Sequence, residues 1–410
     1  MKTRVAVIFG GKSTEHEISI ISAVQAMNNM DADKYEIIPL YLSKENEFYT
    51  GSRLRDINEY RDLKALISKS RRVILVNDRN KNYLVRYPLK ALRKNIVSEI
   101  DVAFPIVHGT NVEDGTLQGY LKTLNLPFVG CDVFASGLGM DKYAMKIMLK
   151  EAGFPVLDCC RFSAHDYQNV DNVIAAVESK FAYPVIVKPV NLGSSIGISK
   201  ADNKSGLEKA LAGAFTFADK VLVEPAITEL KEINCAVLGD GDEATASECE
   251  EPLNAHDILS FQDKYMSGGA KSGGSKGMQS LQRRIPADIT PEVRQEIQDM
   301  AVRAFQYLDC NGVARIDFMI DKATGKIYFN EINTIPGSLS FYLWEPVGIK
   351  YKQLLDHLIK LALKRQRREE EIVYSFDSNV LAQAGSFGAK GCHGCLLYTS
   401  DAADDTPCVD

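Results

Sequence analysis

Nowhere in the 410 residues is there an uncharged apolar run of about 18 residues, the length a membrane-spanning helix requires, so no membrane association is expected. A basic excess is missing too. The formal net charge is -6 and the sequence pI about 5.7, which argues against nucleic acid or an anionic membrane as the main partner, because phosphate backbones attract basic surfaces. The opening residues lack the apolar segment of a secretory signal: Val5-Ala6-Val7-Ile8-Phe9 is followed at once by Gly10 and Gly11 and reads as a buried first strand. A cytoplasmic protein is expected. The nine cysteines, scattered through apolar stretches as at Cys235 and Cys310, show no disulfide framework and suit reduced thiols.

What is present is enough for several cores. A chain of 410 residues exceeds what one hydrophobic core usually serves, and its 45% apolar and 25% charged residues are the balance of an ordinary globular protein. The first elements run strand (4–9), glycine turn, helix (17–30) and strand (37–42), an order that implies a parallel sheet. Further strands are expected at 73–76, 102–107 and 127–129, closing an α/β unit at about residue 130. A second unit, 131–228, holds a helix at 142–152, strands at 184–189, 197–199 and 221–224, and a helix at 205–217. A third, 229–371, holds a strand at 233–238, a helix at 291–308, paired strands at 313–320 and 327–331, and a final helix at 352–368. The fold class is α/β, becoming α+β toward the C-terminus. Residues 372–410 read as a disordered and partly artefactual tail, since 396–405 resembles translated adapter DNA. Cys392, His393 and Cys395 within it suggest zinc, but no second ligand pair lies at a suitable spacing.

Chemistry concentrates in a few places. In the strand from Gly312 to Asp321, period-2 alternation puts Arg315 and Asp317 on one face and Ala314, Ile316 and Phe318 on the other. Glu331 and Asn333 share a face of the returning strand. Two carboxylates and an amide oxygen on neighbouring strands are hard ligands suited to Mg²⁺ held jointly with phosphates, or else a solvated polar face. In Pro184-Val185-Ile186-Val187-Lys188-Pro189, a lysine ends a buried strand, which is costly without an anionic partner. Gly193, Ser194, Ser195 and Gly197 follow as a turn whose N–H groups can close over phosphate, although this is no Walker A sequence. Glu224 and Glu232 sit on an otherwise ordinary strand and turn. Gly10 to Glu17 is a glycine turn entering a helix, either a seat for an anionic group or a simple turn capped by Ser13 or Thr14. His108, Glu113 and Asp114 follow another strand, at the sheet edge where ligands tend to bind.

In order along the chain, Gly-Gly-Lys-Ser-Thr-Glu (10–15), His-Gly-x4-Glu-Asp-Gly-Thr-Leu-Gln-Gly (108–119), Met-Asp-Lys (140–142), Lys-Pro-x3-Gly-Ser-Ser-x-Gly (188–197), Ala-Arg-Ile-Asp (314–317) and Asn-Glu-Ile-Asn-Thr-Ile-Pro-Gly (330–337) resemble the D-alanine-D-alanine ligase family of ATP-grasp enzymes over residues 3–371. The resemblance implies a three-domain ATP-grasp fold (1–130, 131–228 and 229–371) that joins two D-alanines through an acyl phosphate for peptidoglycan precursor synthesis. It assigns Lys142, Lys188, Ser194, Ser195 and Lys264 to the ATP phosphates and the loop above them, and Glu224 and Glu232 to adenine and ribose. Asp317, Glu331 and Asn333 would hold two Mg²⁺ ions, for which Mn²⁺ can substitute. Glu15, His108, Arg315 and Gly337 would meet the amino-acid substrates, with Arg315 facing the oxyanion. Glu15, Ser194, Arg315 and Tyr265 would act in catalysis. The polar stretch 267–277 is a candidate lid or a plain linker, and relatives suggest a homodimer.

Two departures touch the second-substrate pocket. Where the family usually has Ser-Leu beyond Pro-Gly, counting from Glu331 gives Tyr342 and Leu343, and Leu259 and Phe261 stand where tyrosines are frequent. The acceptor could therefore be D-alanine, D-serine or D-lactate. Another ATP-grasp carboxylate-amine ligase is the alternative within enzymes. A nucleotide-binding protein without turnover is the alternative outside them, against which Arg315, Asp317, Glu331 and Asn333 speak.

Overall fold

The computed structural model describes residues 2–253 and 283–375. The described residues up to 366 form one compact unit, and those from 367 to 375 belong to a second. In the first unit three sheets follow one another along the chain.

The first sheet has seven strands: β1 (Thr3–Gly10), β2 (Tyr35–Leu42), β3 (Phe48–Thr50), β4 (Arg71–Asp78), β5 (Lys81–Arg86), β6 (Ile96–Ile100) and β7 (Val102–Pro105), in the order β6-β5-β4-β3-β2-β1-β7. Helix α1 (His16–Asn29) carries the chain from β1 to β2. As the strand-helix-strand order implies, β1 lies parallel to β2 and β7. The other half differs from that expectation, because β3 to β6 add on antiparallel. The two-residue turn between β4 and β5 permits only a hairpin, whereas β3 and β4 pair antiparallel across the 20 residues from Gly51 to Ser70. Val5 to Phe9 are fully buried, as befits a central strand covered on both faces.

Helices α2 (Leu63–Lys69), α3 (Thr116–Thr123), α4 (Val133–Met140) and α5 (Lys142–Glu151) precede the second sheet. It comprises β8 (Cys160–Ser163), β9 (Val185–Pro189), β10 (Ser199–Ala201) and β11 (Lys220–Pro225), ordered β10-β9-β11-β8, with α6 (Val170–Lys180) and α7 (Lys204–Phe215) against one face. Val185, Val187, Val221 and Val223 point into that helical core. The alternate residues Lys188 and Glu224 are thereby turned to the opposite face.

The third sheet, β14-β13-β12-β15-β16, is antiparallel: β12 (Leu230–Gly239), β13 (Ala244–Pro252), β14 (Arg283–Arg284), β15 (Gly312–Asp321) and β16 (Ile327–Asn333). Ile233, Cys235, Ala314, Ile316 and Phe318 pack against helix Pro291–Tyr307. One register shift matters. Phe318 pairs with Phe329 while Asp317 pairs with Glu331, so Asn330 is an extra residue in β16. Strict alternation would put Phe329 and Glu331 on one face; the bulge sends Phe329 into the core and Glu331 to the other side. The described cysteines are all free thiols. No helix among the described residues is long and apolar enough to cross a membrane.

Candidate active site

Strand pairing lays one polar row across the third sheet. Glu250 on β13 faces Asn234 on β12, Asn234 faces Asp317 on β15, and Asp317 faces Glu331 on β16. Arg315 and Asn333 form the next row. The Arg315 guanidinium donates to both Asp317 oxygens, at 2.7 and 2.8 Å, and the Asn333 amide donates to Asp317 at 3.2 Å. Burial, opposed by Arg315 and reinforced by Glu331 and Glu250, still raises the Asp317 carboxyl above its usual range. Burial, together with the two neighbouring carboxylates, thus outweighs what one arginine offsets. A divalent cation would relieve it, and Asp317, Glu331 and Asn333 supply the hard oxygens it needs. Two of these three are carboxylates, and no group of three or more His, Cys, Asp or Glu gathers here or elsewhere among the described residues.

The second sheet supplies cations. Lys188 lies 2.5 Å from Glu224 and donates to Asn330 at 3.2 Å. Lys142, first residue of α5, donates to the Leu192 carbonyl at 2.6 Å and approaches Glu331 at 3.4 Å. Burial works to lower the Lys188 ammonium and to raise the Glu224 carboxyl, yet the ion pairing outweighs both: Lys188 rises, and Glu224 is held at about 2. Glu224 takes a second cation, Lys146, at 2.5 Å. That lysine carries no motif. Lying four residues after Lys142 on a helix, it could have been noticed only as a cation on the same face.

The first sheet closes the third side. Helix α1 begins at His16 with Glu15 at the N-cap, and neither Ser13 nor Thr14 caps it. Instead the Ser13 hydroxyl accepts from the Glu15 N–H at 3.0 Å and donates to the His108 carbonyl at 2.6 Å. Glu15 accepts a hydrogen bond from the Ser194 hydroxyl, tying the first sheet to the turn after β9. That turn approaches so closely that a Cβ on Gly193 would lie 2.9 Å from a Glu15 oxygen, so a side chain there would push the Glu15 carboxylate aside. Ser194 and Ser195 hold left-handed backbones, with φ of 53° and 59°, a strain on the order of 1 kcal/mol each that recurs at ligand clamps.

His108 is buried, its Nδ1 paired with the Ile335 carbonyl at 2.9 Å and its Nε2 with Ser22 at 3.2 Å. Burial, aided by Arg315, pushes its pKa down to about 4. Glu113, buried beside it, accepts from the Gly109 and Ile335 N–H groups at 2.9 and 3.0 Å, yet burial drives its carboxyl up to about 8. Neither carries charge readily.

These walls enclose a cleft of about 970 Å³ lined by Glu15, His108, Lys142, Lys188, Ser194, Ser195, Glu224, Glu232, Arg315, Asp317, Glu331, Asn333, Gly337 and Tyr342. Leu343 departs from expectation. It is fully buried in the core, because its helical neighbour Tyr342 takes the cleft-facing position. The Tyr342 hydroxyl donates to Glu250 at 3.2 Å and its ring lies 4.0 Å beneath the Arg283 guanidinium. Glu113, Glu250 and Arg283 also line the cleft. Lys264, Tyr265, the 267–277 stretch, Leu259, Phe261, Cys392, His393 and Cys395 lie outside the described residues.

Three sheets converging on a lysine-lined cleft beneath an acidic hairpin define the ATP-grasp class of fold. Residues 4–131 match the model of the D-ala D-ala ligase N-terminus and residues 148–360 that of the D-ala D-ala ligase C-terminus. The D-alanine--D-alanine ligase of Caldicellulosiruptor bescii is 43% identical over 382 residues, 91% of this chain and 99% of that protein. That of Thermosipho melanesiensis is 38% identical over 377 residues, 92% of this chain and 98% of that one. Among solved structures, the D-alanine-D-alanine ligase from Coxiella burnetii aligns with a TM-score of 0.74 at 30% identity, covering 94% of this chain and 99% of that one. A D-Ala:D-Ser ligase from Enterococcus faecalis aligns with a TM-score of 0.71 at 31% identity, covering 88% and 100%. The chain belongs to the D-ala D-ala ligase family.

Proposed function

We propose that the chain joins two D-alanines into D-alanyl-D-alanine at the expense of ATP, as a cytoplasmic, homodimeric step in peptidoglycan precursor synthesis. The observation that carries this reading is the one cleft that sets a carboxylate (Glu15), two lysines (Lys142 and Lys188) and a half-buried arginine (Arg315) around one space.

Glu15, steadied by Ser194, receives the ammonium of the first D-alanine, and His108 lies beside its carboxylate. Lys142 and Lys188 neutralise the triphosphate, with Ser194 and Ser195 over it and Glu224 and Glu232 at the nucleoside end. The first carboxylate then attacks the γ-phosphorus, giving an acyl phosphate and ADP. The amine of the second D-alanine attacks the acyl carbon, Arg315 meets the tetrahedral oxyanion, and phosphate leaves as the amide forms. Asp317, Glu331 and Asn333 would hold Mg²⁺, which supplies further neutralisation of the phosphates. Lys264 and Tyr265 are assigned by family resemblance to closing the site.

The Tyr342 hydroxyl at the acceptor end is tied to Glu250, an arrangement that supports a second reading with D-serine or D-lactate as acceptor. The test of both is direct. Purified protein is given ATP, Mg²⁺ and a panel of D-amino and D-hydroxy acids, and product masses are read. D-alanyl-D-alanine as the main product supports the first reading and a mixed product the second, whereas absence of phosphate release with every acid defeats both.

A further inference from the structure

We propose that Lys146 is a positioning residue for the nucleotide's phosphate tail: it holds Glu224 so that Lys188 can move from that carboxylate onto phosphate. This rests on the reading of the cleft as an ATP site. Each Glu224 oxygen takes one ammonium, Oε2 from Lys146 and Oε1 from Lys188, both at 2.5 Å. The Lys146 and Glu224 side chains are 2% and 1% exposed and Lys188 is 10% exposed. Of the two lysines, Lys188 lines the cleft, while Lys146 lies behind it on α5, four residues from Lys142.

Charge arithmetic gives the arrangement its use. One carboxylate and two ammonium groups leave a net single positive charge facing a space that must accept a polyanion. With Lys188 alone, the pair would be neutral, and drawing that lysine toward phosphate would strand a buried, uncompensated carboxylate, which is strongly unfavourable. With Lys146 fixed from behind, Glu224 keeps a partner throughout. Lys188 is then exchanged between anions at little cost. Asn330, the extra residue of the β16 bulge, accepts from Lys188 on the hairpin side and marks the direction of that exchange.

The test compares wild type, Lys146→Met, Lys146→Arg, Glu224→Gln and the double variant Lys146→Met/Glu224→Gln, with ADP and adenosine affinities measured by calorimetry and KM for ATP and D-alanine measured alongside. Lys146→Met should weaken ADP by about tenfold or more, equivalent to about 1.4 kcal/mol. KM for D-alanine should stay within about twofold, adenosine affinity, which Glu224 also serves, should fall several-fold less than ADP affinity, Lys146→Arg should restore ADP binding, and the double variant should bind ADP as Glu224→Gln does. That last comparison does not depend on Lys146→Met folding, since it removes both charges together. Equal losses for ADP and adenosine, or a double variant much weaker than Glu224→Gln, would reduce Lys146 to a packing role and overturn the proposal. Wild type that binds neither nucleotide would instead overturn the ATP reading on which it stands.

Discussion

The two walls of the cleft solve the problem of buried polarity in opposite ways. On the first-sheet wall, His108 and Glu113 are satisfied largely by backbone groups, the Ile335 carbonyl, the Gly109 and Ile335 N–H groups, and burial favours their uncharged forms. On the other wall, ion pairing holds Lys188, Glu224 and Arg315 in their charged forms, while burial still lifts the Asp317 carboxyl despite Arg315. Backbone partners do not move, so the first wall is a rigid template. Ion pairs can be exchanged when a substrate brings its own charge, so the second wall is the one we propose to respond to the substrates.

The largest effect that could break this contrast is expected at Arg315. Replacing it by Met removes the cation proposed to face the oxyanion and should lower kcat for dipeptide formation by about 10²- to 10³-fold while KM for ATP changes little. Steady-state kinetics decide it, and a kcat within tenfold of wild type would show that the charged wall is not the catalytic one.

An intermediate effect belongs to the template wall and appears in stability. Glu113 releases its proton near 4.5 in an ordinary setting and near 8 in the folded protein. Between those values the unfolded chain binds fewer protons, so stability falls as pH rises. His108 has the opposite sign, because its folded value of about 4 lies below the ordinary 6.5 and stability therefore rises with pH across that interval. The two slopes offset each other below 6.5, and from there to about 8 Glu113 acts without that opposition. At about 1.4 kcal/mol per pH unit, this window is worth about 2 kcal/mol. Glu113→Gln should flatten the decline in denaturation midpoint between neutral and mildly alkaline pH; an unchanged slope would mean the carboxyl is ionised on both sides.

The smallest effect is expected at Tyr342. Removing its hydroxyl in Tyr342→Phe leaves Glu250 with Asn234 and Arg283, so about 1 kcal/mol is at stake. KM for the acceptor should rise by no more than about fivefold, with KM for ATP unmoved. A larger loss would place the phenol itself on the substrate.

Parts of this arrangement were legible in the sequence. Gly312 to Asp321 alternates so regularly that its two faces could be assigned without coordinates, and Lys188 at the end of an apolar run asked for an anion. Other parts were not. Strand β13 carries Ala244-Thr245-Ala246-Ser247-Glu248-Cys249-Glu250, too polar to read as a strand, yet Ser247, Cys249 and Glu250 are buried. Its polarity is tolerated because Ser247 donates to the Glu248 carbonyl and accepts from the Ala236 N–H, while Glu250 accepts from Asn234. Counting from Glu331 placed Tyr342 and Leu343 together at the acceptor end. A helix cannot present two successive residues to one side, and Leu343 went to the core.

By itself the sequence determined the period of each element and the residue types at the ends of the strands, because alternation and glycine turns are local properties. Which carboxylate meets which lysine was decided only by the tertiary structure. Glu224 lies 78 residues from Lys146 in the chain, and the β16 bulge sets whether Glu331 faces the cleft or the core. Long-range pairing and register depend on how whole sheets pack, and no local spacing records that.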